Sequence, residues 1–216
     1  MEEVVKALVS TILVAAFLAA GAALACDGTG IPDLDQSIVS WGLPGGDSAT
    51  LLVVPDGSGP AFTGARLSNG TLVDATITLT MVDACGDLIC CFPAEDMWLE
   101  SQDQGLVLCA GGSIADHNTS QLGRTEWTAP LKAGGHSQSA CRVLVNGIAL
   151  PGSIALPLHF NSPDLNGDRA VSLTDIPLFA AAYYGPYAFA ADLHADGHID
   201  LADIPLLAQA MGAHCP

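Results

Sequence analysis

The chain has 216 residues, half of them hydrophobic, with 23 acidic against 6 basic residues and a formal net charge of -17. That length allows one medium domain and a small one, and the apolar half supplies a packed core. The acidic excess excludes nucleic acid and anionic lipid as partners, since both need clustered Lys and Arg, and it favours divalent cations.

Residues 1–25 read as a secretory signal. Ala7 to Ala25 is almost wholly apolar, and Ala23-Leu24-Ala25 gives the small-x-small pattern for cleavage before Cys26. Glu2 and Glu3 outweigh Lys6, against the usual positive start, and the stretch approaches the length of a membrane span. Membrane contact is expected only through this segment, if it stays uncleaved or if Cys26 is acylated. The expected location is extracellular or on the cell surface. There the seven cysteines (Cys26, Cys85, Cys90, Cys91, Cys109, Cys141 and Cys215) should oxidise, with one left over. Cys109 with Cys141 is the preferred bridge, because both sit in strand-like segments of one domain. Cys85, Cys90 and Cys91 lack the His spacing of a structural zinc site.

Residues 26–160 show an all-β pattern. Residues 27–60 are rich in turns and add a strand or two. Val73, Ala75, Ile77, Leu79 and Met81 alternate with polar neighbours, giving a strand with one apolar face. Asn146-Gly147 between 143–145 and 148–150 predicts a hairpin. Further strands are expected at 51–54, 97–100, 106–109, 123–128 and 154–160. Their number and spacing suggest a β-sandwich. The run from Ala75 to Thr80 into Asp83-Ala84-Cys85-Gly86-Asp87, and Leu122 to Thr128 into a Gly-rich turn, resembles bacterial immunoglobulin-like domains of the invasin type over 70–160. That resemblance implies a rigid spacer or adhesive module. His117, His136 and His159 are scattered. Glu95, Asp96 and Glu100 beside Trp98 read as a solvated strand edge rather than a paired-carboxylate glycosidase site. No catalytic residues are expected, and the chain is read as a non-enzyme.

The pattern changes at 161–216. Aligning 164–184 with 192–212 gives ten identities in 21 positions, an internal duplication at an offset of 28 residues. Each copy carries the ligand spacing of a twelve-residue calcium loop. Positions one, three, five, nine and twelve are Asp164, Asn166, Asp168, Ser172 and Asp175, then Asp192, His194, Asp196, Asp200 and Asp203. Position seven uses the main-chain carbonyl, from Ala170 and His198. Alternate side chains aim oxygens at one hard cation, and the carboxylate at twelve closes the shell from the following helix. Two Ca2+ sites are therefore expected. Arg169 replaces the position-six glycine of the first loop, and His194 is a poor calcium ligand. Ile176, Phe179, Ala180 and Tyr183 recur as Ile204, Leu207, Ala208 and Met211, one apolar stripe per helix. Val171 and Ile199, at position eight, are expected to pair across the loops. Pro177 and Pro205 are read as first helical residues, leaving Asp175 and Asp203 just outside.

Two loop-helix repeats with Asp at position twelve and no entering helix resemble the dockerin repeat. The resemblance implies a calcium-folded helix pair that docks on a cohesin module in extracellular polysaccharide-degrading complexes. It places partner contacts at positions ten and eleven, here Leu173 and Thr174, then Leu201 and Ala202. The expected fold is mainly β: an immunoglobulin-like β-sandwich followed by a small α-helical pair of calcium-loop-helix repeats. Three roles stay open: a secreted docking protein with a cohesin-like partner, a structural subunit whose module packs on its own sandwich, or a small carbohydrate-binding accessory.

Overall fold

The computed structural model describes residues 30–43, 47–153 and 156–216. The expected signal at 1–25, Cys26 and the start of the 154–160 strand lie outside them. Twelve strands are described: β1 Ile38–Trp41, β2 Ala49–Leu52, β3 Ala65–Leu67, β4 Leu72–Val73, β5 Ile77–Thr80, β6 Met97–Ser101, β7 Leu106–Leu108, β8 Arg124–Trp127, β9 Ala133–Gly135, β10 Cys141–Val145, β11 Ile148–Ala149 and β12 Leu158–Asn161. Two α-helices follow, α1 Asp175–Tyr183 and α2 Asp203–Ala210. The fold is mainly β, and among the described residues the α-helices lie in the duplicated segment.

The strands form four small sheets, ordered β1-β5-β8, β11-β10-β6, β12-β2-β3-β4 and β7-β9. All pairs are antiparallel except β12 with β2. The single strand expected over 73–81 is two. Asp74 Oδ1 accepts the Thr76 N–H at 2.9 Å and turns the chain between β4 and β5. The β10–β11 hairpin is as expected, with Asn146 and Gly147 both at positive φ (50° and 82°), as its tight turn requires. Trp127, Phe62, Phe160, Leu51, Ile77 and Leu79 are fully buried and form the centre of the core.

The helical segment does not stand apart from this body. Its own small core, of Val171, Phe179, Ala191, Leu193, Leu207 and Ala210, includes Val54 and packs against Leu52, both from the β body. Val171 and Ile199 share that core, but the expected pairing between them is not what the backbone makes. Val171 instead exchanges hydrogen bonds with the C-terminal tail, donating to Ala213 O (2.8 Å) and accepting from Gly212 N (2.9 Å). The prolines also stand two positions later in their helices than expected. Asp175 and Asp203 are the first residues of α1 and α2, and Pro177 and Pro205 are the third. Proline is tolerated there because first-turn N–H groups lack intrahelical acceptors anyway. Among the described residues no helix is long and apolar enough to cross a membrane.

The expected Cys109–Cys141 bridge is wrong. Cys109 pairs with Cys215, with Cα atoms 5.5 Å apart and a sequence separation of 106. Cys141 points into the core from β10 as a free, buried thiol. Lying in strand-like sequence did not fix which face each cysteine occupied. Cys85 is also disulfide-bonded. The Cys109–Cys215 bond ties the tail that pairs with Val171 to the loop after β7. Replacing both by Ser is expected to cost about 2–4 kcal/mol through the freed long loop, readable as a lower urea midpoint with m unchanged or raised by the more open unfolded chain.

Candidate metal centre

The two loops, 164–175 and 192–203, repeat one hydrogen-bond scheme. Position one accepts two N–H groups: Asp164 from Asp168 (3.1 Å) and Arg169 (2.8 Å), Asp192 from Asp196 (3.2 Å) and Gly197 (2.9 Å). Position twelve reaches back to positions three and nine. Asp175 accepts from Asn166 N (3.2 Å) and Ser172 N (2.8 Å), and Asp203 from His194 N (2.9 Å) and Asp200 N (2.8 Å). Position five accepts the N–H of position seven, Asp168 from Ala170 and Asp196 from His198, each at 3.0 Å. These bonds wrap each loop around its acidic side chains and bring the carbonyl-bearing residues, Ala170 and His198, into the same turn.

Tight wrapping needs left-handed backbone at positions four and six. Gly167 and Ala195 have φ of 70° and 54°, Arg169 and Gly197 of 72° and 84°. Arg169 and Ala195 carry a Cβ in that region, at about 1 kcal/mol or more each. The loop closure imposes this conformation even where the sequence lacks glycine. The demand at position four was not legible in the sequence.

Asp164, Asp175, Asp192 and Asp203 are all buried, at 0–2% exposure. Among the described residues none of them meets a Lys or Arg. Burial holds the Asp164 carboxyl above its usual range against the Arg169 N–H, and the Asp175 charge adds to the rise. Burial likewise raises Asp203, against N–H groups from Asp200 and His194, with the Asp192 charge adding to it. Ionised, these groups need a cation that the chain does not supply. Burial opposes ionisation of Asp196 as well, but hydrogen bonds from His194 and the His198 N–H outweigh it and lower its carboxyl.

Position three differs between the copies. Asn166 Oδ1 accepts the Asp168 N–H (2.9 Å), and its amide donates to Asp168 Oδ2 (2.9 Å) and Thr174 Oγ1 (3.0 Å). His194 lies 3.1 Å from Asp196 Oδ2 through Nδ1, as a partner of a neighbouring ligand. At position nine Ser172 bonds Thr174 Oγ1 (2.8 Å), and Asp200 caps the Ala202 N–H (2.7 Å).

Both loops face the β body, through residues that sequence reasoning missed. The Gly135 N–H donates to Asp164 O (3.0 Å), and Gly134 lies so close that a Cβ there would stand 1.8 Å from Asp164 Oδ2. Gly70, in the β3–β4 turn, donates to Ala195 O (3.2 Å), and a Cβ on it would lie 3.1 Å from Asp196 Cβ. Asn161 at the end of β12 donates to the Asp192 carbonyl, and Tyr187 Oη donates to Asp192 Oδ2 (2.8 Å). In strand sequence these glycines read as turn residues. Only the fold shows what they admit.

The residues expected to meet a partner lie on the far side. Leu173 and Leu201 are 75% and 72% exposed, and Thr174 is exposed beside them while Ala202 is half-buried. Between α1 and α2 runs an apolar groove of about 500 Å³, lined by Ile176, Phe179 and Tyr183 from one helix and Ile204, Leu207 and Met211 from the other. Tyr184 stands almost free in solvent at its end.

A second acidic group lies elsewhere. Asp83, Cys85 and Asp87 bring ligand-type atoms within 4.8 Å of one another, and they are the group so tightly drawn among the described residues. Cys85 is disulfide-bonded and offers no thiolate, and Asp83 Oδ1 is occupied by the N–H groups of Cys85 (2.9 Å) and Asp87 (3.0 Å). These bonds close a tight turn around Asp83. Among the described residues neither loop gathers three His, Cys, Asp or Glu ligand atoms that closely. Glu100 of the sequence cluster near Trp98 is engaged by Arg142 (3.2 Å) and Trp98 Nε1 (3.0 Å). No family model matches this chain, and no curated protein or solved structure matches it either.

Proposed function

We propose that this chain is an exported, non-catalytic calcium-binding protein whose two loops each take one Ca2+ and clamp a helix pair onto the β body. The observation that carries the reading is the repeated scheme of buried position-one and position-twelve carboxylates, each tied to two N–H groups and none facing a protein cation. The donor set fits. It is oxygen throughout the first loop, and a carboxylate keeps lone pairs free after accepting two N–H bonds. Asp164, Asn166, Asp168, the Ala170 carbonyl, Ser172 and Asp175 would hold one ion. Asp192, Asp196, the His198 carbonyl, Asp200 and Asp203 would hold the other, with water in place of His194. Bound calcium supplies positive charge and rigidity, not chemistry on a substrate.

The outward helix face supports a docking role of the dockerin kind, with Leu173, Thr174, Leu201 and Ala202 at its edge. An immunoglobulin-like spacer is the role that the strand pattern over 70–160 suggests for the body. Packing of both loops on the body favours, as second reading, a structural subunit stiffened by calcium. Calorimetric titration with calcium should give two binding events. Heat for fewer than one ion per chain at millimolar calcium removes both readings. Leu173→Asp with Leu201→Asp should leave stability within about 0.5 kcal/mol, since both side chains are solvated. The same pair should abolish capture of a purified cohesin module in calcium. Failure of the unsubstituted protein to bind one, with both ions bound, leaves the structural role.

A further inference from the structure

Three cysteines among the described residues stand outside disulfides: Cys90, Cys91 and Cys141. Burial pushes the Cys141 thiol up to about 12, so it is inert in the folded chain. Cys90 and Cys91 are the opposite case, adjacent in sequence and both exposed. Their segment is firmly held. Ile89 N donates to Met81 O (3.1 Å), Cys91 N to Thr119 O (2.7 Å) and Phe92 N to Thr119 Oγ1 (2.9 Å). Cys91 has φ 62°, left-handed backbone that a residue with a Cβ adopts only when its surroundings impose it. Leu88, two residues before Cys90, is exposed as well.

Neighbouring Cα atoms stand about 3.8 Å apart across a trans peptide. A disulfide favours a Cα separation of about 4.4–6.8 Å. Closing a ring between Cys90 and Cys91 is therefore strained, while either sulfur can reach another molecule in ordinary geometry. The chain forms disulfides at Cys109, Cys215 and Cys85, which places it where such bonds form and persist. Exposed thiols in that setting exchange.

We propose that Cys90 and Cys91 form a reversible covalent attachment site for an exposed disulfide of another molecule. The Cys90 thiol releases its proton to water, and the thiolate sulfur attacks one sulfur of the incoming R–S–S–R. A mixed disulfide, Cys90–S–S–R, forms as the original S–S bond breaks, and the departing R–S⁻ takes up a proton. Cys90 is oxidised and one sulfur of the incoming disulfide is reduced. Cys91 later attacks the Cys90 sulfur, expels the second R–S⁻ and frees the partner, at the cost of the strained ring. The hydrogen bond and charge of Cys90 hold the Cys91 thiol above its usual range.

The test treats the purified chain, isolated without reductant, with excess glutathione disulfide and follows intact mass and peptide maps. One glutathionyl group per chain should appear, on Cys90, at least about tenfold faster than on Cys141. Cys90→Ser should abolish it, and Cys91→Ser should keep the adduct and lengthen its lifetime after dilution. Repeating the reaction with a folded protein bearing an exposed disulfide separates the sources: reaction with both marks a protein tether, and with glutathione disulfide alone a small-thiol site. A chain that shows no mixed disulfide on Cys90 at any time point, even in the Cys91→Ser variant where release is blocked, or that stays unreacted, overturns the proposal.

Discussion

Loading with calcium is expected to raise the melting temperature by about 10–20 °C over calcium-free protein. Each ion present at a hundred times its dissociation constant contributes about 2.7 kcal/mol when it binds only the folded chain. Two sites give about 5 kcal/mol, and a chain of this size gains roughly 2–4 °C per kcal/mol. The gain should depend on pH in a stated direction. Asp164 and Asp203 have folded pKa values raised above the usual carboxylate value by burial. Their protonated forms favour the ion-free fold at low pH, and that contribution is lost as pH rises through the raised values. Calcium takes over as the protons leave, so the difference in melting temperature should be small near pH 4 and widen towards pH 7. Protein stripped on chelating resin avoids the pH dependence of a soluble chelator. A gap that is constant with pH would mean that calcium acts away from these carboxylates.

The duplication was legible because it is a one-dimensional pattern, and the same hydrogen-bond scheme recurs at matching positions of both copies. The strand at 97–101, the 141–149 hairpin and the mainly β class were legible from alternation and from Asn146-Gly147. Strand β9 was not. Ala133-Gly134-Gly135 has no apolar alternation, and it is a strand only because β7 and the first loop pack against it. Cys215 was missed for a similar reason. Its partner depends on the tail crossing back beside Val171, and sequence carries no record of that crossing. The exposure of Leu173 and Leu201 agreed with their loop positions. The inward turn of both loops did not announce itself, since the glycines that admit them lie some thirty to over a hundred residues earlier in the chain.

That inward turn gives the sharpest test of how the halves depend on each other. Gly134→Ala should weaken calcium binding at the first loop and leave the second intact. The added Cβ would meet Asp164 Oδ2 at 1.8 Å, Cγ at 2.7 Å and its Cβ at 3.1 Å, so rotating the carboxylate does not relieve the contact. Asp164 is fully buried, and its oxygens are bound by Asp168 and Arg169, so the loop must move off β9 to accept the methyl. Affinity at that site should fall by about a hundredfold, the upper end of what a supporting residue controls, with an overpacking cost of about 1–3 kcal/mol. Gly70→Ala is the matched change for the second loop. Its Cβ would lie 3.1 Å from Asp196 Cβ, and φ of 79° disfavours alanine, so a smaller loss confined to that loop is expected. Calorimetry of the two variants reads the sites separately. If Gly134→Ala retains two unaltered binding events, the helix pair binds calcium as a unit independent of the body. The clamp, and with it the structural reading, then fails, while the docking reading stands on the outward face alone.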